Sequence, residues 1–256
     1  MLDTFKPIQS IERAIEVINC FTDSVNYLTL KEISEMTNLK LSTARGIANT
    51  LLMYGLLNFD TTTKRYSLGL FFSAKSKLLN KKQEIYTQLV SPFVEKISDD
   101  LSVTCCFQMV ENLQVYTIYS SSAHKEHYQI HVAEQVLLPL SISASGKLAL
   151  AHNYNLQNIK YALDSKPDNT TDYSSTSVEM LETKLNDILE KGYSYENQEY
   201  QLGVSSLSVP IFNSNGNIIA TLSITSFSTY IESILNDVVP ELKNQASQIA
   251  KLISNI

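Results

Sequence analysis

Three short helical patterns and a strand pair crowd into the first 70 residues, and so little chain leaves room only for a small helical module with a hairpin appended. In residues 10–21 (SIERAIEVINCF), Ile11, Ala14, Ile15, Ile18 and Phe21 recur at helical spacing, with Ser10 placed to cap the start. Thr29 and Glu32 have the spacing of a capping box, and Leu30, Ile33 and Met36 then form a core face. A bend at Thr37-Asn38 leads to a third helix over residues 42–53 (STARGIANTLLM). At 100° per residue, Ala44, Ile47, Ala48, Leu51 and Leu52 fall on one side of it. Ser42, Thr43, Arg45, Gly46, Asn49 and Thr50 fall on the other, a short-chained polar face that suits a major groove. Gly55 closes the helix, and residues 56–59 and 65–68 read as strands across a polar tip that carries Lys64 and Arg65. Three helices plus this hairpin make a winged helix-turn-helix, with Lys64 and Arg65 where a wing meets phosphate or minor groove.

Charge follows the same division. The 256 residues carry a formal charge of −6, which excludes a uniformly basic nucleic-acid coat. Residues 1–75 hold eight basic against seven acidic side chains, whereas the remainder holds twelve against nineteen. All three arginines, Arg13, Arg45 and Arg65, lie in the first stretch. Arginine is the side chain best shaped for forked contacts with phosphate and guanine.

Residues 70–88 contain neither Pro nor Gly and read as a helix, and Ser91-Pro92 starts or kinks the next one. Strand patterns follow at 102–110, 114–120 and 128–132. Helical patterns occupy 144–153, 156–163 and 178–191. Strands return at 203–212 and 218–225, joined by the turn Asn213-Ser214-Asn215-Gly216, before a last helix. Hairpins separated by helices specify an α+β domain with an antiparallel sheet. No apolar run reaches the roughly 18 residues of a membrane helix, and the opening MLDTFKPIQS is too polar for a signal-peptide core. The three cysteines make no disulfide framework and read as small buried hydrophobes in a reducing cytoplasm.

Catalytic motifs are missing: there is no Gly-x-Ser-x-Gly, no Walker motif and no His-Glu-x-x-His, so neither an enzyme nor a bound cofactor is expected. Ser145-Gly146-Lys147 enters a helix, where unpaired N–H groups and the helix dipole favour a carboxylate or phosphate. Ser206, Ser223 and Thr225 lie on strands that pair across the Asn213 turn, with Ser223 and Thr225 on one face. Polar groups on an inner strand face need partners, which a bound metabolite supplies. A rival is metal sensing, because His124, His127 and His131 cluster, the last two on one face of a strand. Exposed or hydrogen-bonded histidines are the more ordinary outcome of such spacing, so no metal site is assigned.

The run SIERAIEVINCF, then LTLKEISEMTNLKLSTARGIANTLLMYGLL, then KRYSLG resembles the N-terminal domain of IclR-family transcriptional regulators. Leu138-Pro139-Leu140 through Ala151, and Gly192-Tyr193 with Glu199 through Thr225, resemble that family's effector-binding domain, which is similar to GAF domains. The resemblance implies a winged helix-turn-helix over residues 1–70, a linker helix over 71–88 and a GAF-like effector domain over 89–256. It implies DNA contacts by Ser42, Thr43, Arg45, Asn49, Lys64 and Arg65. It also implies an effector pocket at Ser145, Gly146, Glu196, Ser206, Ser223 and Thr225, taking a small organic acid. The implied partners are a palindromic double-stranded operator and a second copy of the chain, as a homodimer or dimer of dimers in the cytoplasm. Lys40-Leu41 stands where the family usually has Pro-Lys, and Arg45-Gly46 where it often has a basic pair, so few groups anchor phosphate. Arg45→Ala is therefore expected to weaken operator binding strongly with the fold intact; an unchanged gel-shift affinity removes Arg45 from the site.

Overall fold

The computed structural model describes residues 8–22, 24–123, 129–167 and 170–254. The chain divides into two compact units, Met1–Lys82 and Gln83–Ile256. The first holds α1 (Gln9–Asn19), α2 (Leu30–Met36), α3 (Leu41–Met53), β1 (Leu57–Asp60), β2 (Arg65–Leu68) and the start of α4 (Phe71–Leu101). The capping box forms as its spacing requires: Glu32 N–H donates to Thr29 Oγ1 at 3.3 Å, and Thr29 N–H donates to Glu32 Oε2 at 2.6 Å. Val17, Phe21, Leu28, Ile33, Ala48, Leu51, Leu57 and Tyr66 form the core. Gly55 ends α3 in the left-handed region at φ 72°. Gly69 has a different reason, since a Cβ there would lie 2.0 Å from the Gly55 carbonyl oxygen.

Two local expectations give way here. Ile8, not Ser10, occupies the N-cap position of α1, with no side-chain cap. The α1 core face is turned toward Val17, which leaves Ile11 54% and Ile15 51% exposed. The apolar band of this helix is wider than the face its neighbours can cover, and its outer edge stays in solvent. Met36 is likewise exposed, because the seven-residue α2 buries only Ile33.

The second unit comprises the rest of α4, β3 (Thr104–Glu111), β4 (Gln114–Ser122), α5 (Ala144–His152), α6 (Leu156–Asp164), α7 (Val178–Lys191), β5 (Ser194–Asn197), β6 (Val204–Phe212), β7 (Ile218–Phe227) and α8 (Ser228–Ile253). Its five strands lie in the order β4-β3-β7-β6-β5, every pair antiparallel. Side chains alternate across the sheet. One face sends Cys105, Phe107, Leu207, Val209, Leu222 and Ile224 against Val90, Val94 and Ile97 of α4 and Ile231, Leu242 and Ile249 of α8. The other face lies under α5, α6 and α7, with apolar packing around Val115, Leu148, Ile159, Leu185 and Ile218. Its centre is polar. The cysteines Cys20, Cys105 and Cys106 are free and buried.

Three boundaries differ from expectation. Pro92 does not start a new helix: α4 runs 31 residues through it. The missing N–H removes one helix hydrogen bond, while fully buried Val90 and Val94 on either side hold the segment to the sheet. Residues 129–132 form no strand, and Tyr128 lies outside the described residues. Residues 129–136 instead form an irregular strap along the outer edge of β4. Ser120 Oγ donates to Val132 O at 3.0 Å, Ser120 N–H donates to Glu134 Oε1 at 2.8 Å, and Thr117 N–H donates to Val136 O at 3.1 Å. Gln135 at φ 59° breaks any extended run. The short strand β5, between α7 and β6, carries no strand signal of its own.

Phe107 is fully buried between the sheet and Tyr86 of α4, its ring centroid 6.3 Å from that of Tyr86. Phe107→Ala is expected to destabilise the second unit by about 3–5 kcal/mol, read from urea unfolding followed by circular dichroism.

Candidate functional site

On α3, Ala44, Ala48 and Leu51 are buried, which turns the opposite face outward. Ser42, Arg45 and Asn49 are exposed there, and Thr43 is half-buried. Lys64 stands exposed in the hairpin turn at φ 58°. The Asp60 carboxylate orders the turn, accepting from Thr62 N–H at 2.7 Å and from the Thr63 hydroxyl at 2.8 Å. Those bonds, the Thr63 hydroxyl first, hold its carboxyl below the usual range. Arg65 is placed differently from the other five: its guanidinium donates to Tyr27 O at 3.0 Å and lies 3.8 Å from Glu32 Oε2. It ties the hairpin to the turn before α2, a contact across 38 residues of sequence.

In the second unit the polar centre of the sheet opens into a cavity of about 310 Å³. The antiparallel register sets Glu196 of β5 opposite Ser206 of β6, Ser206 opposite Thr225 of β7, and Ser208 opposite Ser223. Ser145, Glu196, Ser206, Ser223 and Thr225 all line the cavity, five of the six residues expected there. Gly146 does not. A Cβ on it would lie 2.5 Å from Pro139 O and 2.6 Å from the Leu140 Cα, so its role is close packing of α5. Its N–H is also taken by Ser143, the N-cap, at 3.0 Å. Lys147, third in that motif, is 1% exposed and paired with Glu199, whose other oxygen lies 2.9 Å from Lys184. Burial outweighs the attraction of Glu199 and pulls the Lys147 ammonium below its usual value. The pair fastens α5 to the loop after β5, from which Tyr200 and Gln201 reach the cavity wall.

Sequence reasoning missed Gln108, whose amide lies at the centre of the cavity floor. Its Oε1 accepts from Thr221 at 2.9 Å and from Ser145 at 3.2 Å, and its Nε2 donates to Ser223 at 2.8 Å. Ser145 and Ser208 are 2.9 Å apart, as are Ser206 and Thr225. A lone glutamine inside a strand buried on both faces was the available signal. Cys106 also borders the cavity, and burial pushes its thiol up to about 12, far from a nucleophilic thiolate. His131 lies on the strap at the cavity wall, while His124 and His127 fall outside the described residues. Among the described residues no group of three His, Cys, Asp or Glu could hold a metal ion, and no helix is long and apolar enough to cross a membrane.

Both units match known families. Residues 10–61 match the IclR helix-turn-helix domain, and residues 80–254 match the bacterial transcriptional regulator IclR C-terminal domain. The chain belongs to the IclR family of DNA-binding transcriptional regulators. Among its relatives, the Pca operon regulatory protein of Acinetobacter baylyi is 22% identical over 258 residues, spanning 96% of this chain and 89% of the relative. An IclR-family regulator from Brucella abortus has the same fold, with TM-score 0.74 and 20% identity over 97% of this chain and 93% of that one. So does an IclR homolog from Microbacterium hydrocarbonoxydans complexed with 4-hydroxybenzoate, with TM-score 0.63 and 20% identity over 94% of this chain and 98% of that one. The proteins of this family are transcriptional regulators.

Glu196 is 2% exposed and accepts from Glu199 N–H at 2.5 Å and Tyr200 N–H at 3.1 Å. Burial raises its carboxyl above 4.5, and the Tyr200 N–H and Lys147 only partly oppose this. The folded state therefore favours the protonated form, a stability contribution that is complete below 4.5 and lost as pH rises through the folded value. Glu196→Gln keeps the acceptor and removes the charge. It is expected to be more stable than the wild type near pH 7, with the difference vanishing in the acid limb; paired urea midpoints across pH check this.

Proposed function

We propose that this IclR-family regulator binds a palindromic operator as a homodimer, or as a dimer of dimers, and that a small organic acid in the C-terminal cavity modulates the binding. In this reading residues 1–70 are the DNA reader, 71–88 the linker and 89–256 the effector domain. Ser42, Thr43, Arg45, Asn49 and Lys64 contact DNA. Arg65 also borders it, chiefly by fixing the wing through Tyr27 and Glu32. The effector contacts Ser145, Glu196, Ser206, Ser223 and Thr225, with Gly146 setting the depth of the helix start. The protein works in the cytoplasm and is not an enzyme.

The observation that carries the effector reading is a cavity of about 310 Å³ with largely apolar walls, in which hydroxyls of the sheet meet the first turn of α5. The N–H groups of a first helical turn and the positive end of its dipole favour an anionic oxygen. The relative solved with 4-hydroxybenzoate holds a ligand of that class. Dimerisation is supported by the exposed apolar ridge of Ile8, Ile11 and Ile15 on α1, which are 65%, 54% and 51% exposed. Ridges of this kind mark interaction surfaces. Two recognition helices must then meet half-sites about 34 Å or a multiple apart. An effector acts by binding one arrangement of the reading heads more tightly than another.

A thermal-shift screen of organic acids tests the proposal. An acid at about 100 times its Kd adds about 2.7 kcal/mol to the stability of the folded protein, and the same acid changes operator affinity in a gel shift. A screen in which no acid raises the melting temperature overturns the cavity as an effector site.

A further inference from the structure

The floor of the cavity is a run of hydrogen bonds with a direction. Thr221 is fully buried, and among the described residues the Gln108 amide is the only side-chain partner of its hydroxyl, at 2.9 Å. A buried hydroxyl hydrogen needs an acceptor, so the amide end facing Thr221 is the carbonyl. The same oxygen accepts from Ser145, 3.2 Å away, and Ser145 in turn lies 2.9 Å from the fully buried Ser208. With its carbonyl committed, Gln108 presents its N–H end to Ser223 Oγ at 2.8 Å. Ser223 therefore accepts from the amide, and its own hydrogen is left to point along the cavity. The directed part of the chain reads Ser145 to Gln108 to Ser223, and it ends in a donor. The Ser206–Thr225 pair, 2.9 Å apart, uses one hydroxyl hydrogen internally and keeps a second for the cavity.

We propose that Gln108 is the positioning residue that sets the hydrogen-bond polarity of the effector cavity. By directing its carbonyl to Thr221 and Ser145 and its N–H to Ser223, it makes the floor donate and so requires an acceptor oxygen from the ligand. The inference rests on the cavity being the effector site. It adds what fixes the site's preference: one amide behind the ligand-facing hydroxyls. A methionine at the position fills similar volume with no polarity, and Ser223 can then rotate to donate or accept.

Benzoate and benzamidine make the test, because they share a ring and a planar fork but one accepts where the other donates. Their dissociation constants are measured by saturation-transfer NMR titration of the full chain. Wild type is expected to bind benzoate at least about tenfold more tightly than benzamidine, the scale of one charge-assisted hydrogen bond. Gln108→Met is expected to erase that preference, Ser223→Ala to weaken benzoate about tenfold, and the double variant to weaken it no further. If Gln108→Met does not fold, wild type and Ser223→Ala still decide, because Ser223→Ala must erase the preference. Benzamidine binding as tightly as benzoate in wild type, with both weakened by Ser223→Ala, overturns the polarity role and leaves the effector site standing. Retention of the benzoate preference in Gln108→Met also overturns it. Failure of both compounds to bind the wild-type cavity overturns the effector site itself.

Discussion

A one-residue slip of β7 against β3 would exchange the two faces of the sheet. Cys106 pairs with Ser223 and Phe107 with Leu222, so the slip would drive Ser223 and Thr225 into the apolar layer under α4 and α8 and lift Leu222 and Ile224 into the cavity. The apolar face forbids this. Phe107, Leu207, Leu222 and Ile224 are all fully buried, and each excludes a register that would replace it by a hydroxyl. The large hydrophobic face thus fixes where the polar side chains of the strands stand on the other side, and the cavity inherits its geometry from packing it does not touch.

The roof of the cavity depends on a different interaction. Buried charges cost several kcal/mol each in desolvation unless they are paired and hydrogen-bonded, so a buried ion pair is poor evidence of stability. Lys147 and Glu199 join two pieces of chain that line the cavity: the first turns of α5 and the loop holding Tyr200 and Gln201. The loop is further held where Ser174 donates to Glu199 O at 2.8 Å and Glu196 accepts the Glu199 and Tyr200 N–H groups. Charge burial here gives position rather than stability, and it leaves the α5 first turn facing the cavity.

Elements whose cause is local were legible in the sequence. The Thr29/Glu32 capping box, the Gly55 stop and α7 at Val178–Lys191 need no knowledge of distant chain. Errors arose where a distant partner decides. The strap at 129–136 begins with strand-like composition, but it meets the edge through the Ser120 and Glu134 side chains and a few backbone bonds around left-handed Gln135, so no regular strand forms. The tie from Arg65 to Tyr27 and Glu32 is likewise invisible in the sequence, since its acceptor lies 38 residues away. The residues assigned to the proposed effector pocket rest on family resemblance more than on pattern, since a serine on an inner strand face and one on an outer face read alike. Gln108 escaped because its partners, Ser223 and Thr221, lie 115 and 113 residues away.

Committing Arg65 to the fold sharpens what the DNA-binding unit must do. With eight basic against seven acidic side chains in residues 1–75, there is little nonspecific attraction to hold one copy on DNA. One of the three arginines props the wing, and the wing tip carries Asp60 with its charge held on by the turn it orders. In the proposed dimer the contacts assigned to one copy are few, and binding gains by spanning two half-sites. Two tethered heads convert the second contact into an intramolecular event, whose strength depends on whether the heads match the half-site spacing. On the proposed dimeric reading, occupancy of a weakly anchored reader is governed by the distance between heads, and an effector acts by favouring one such distance over another.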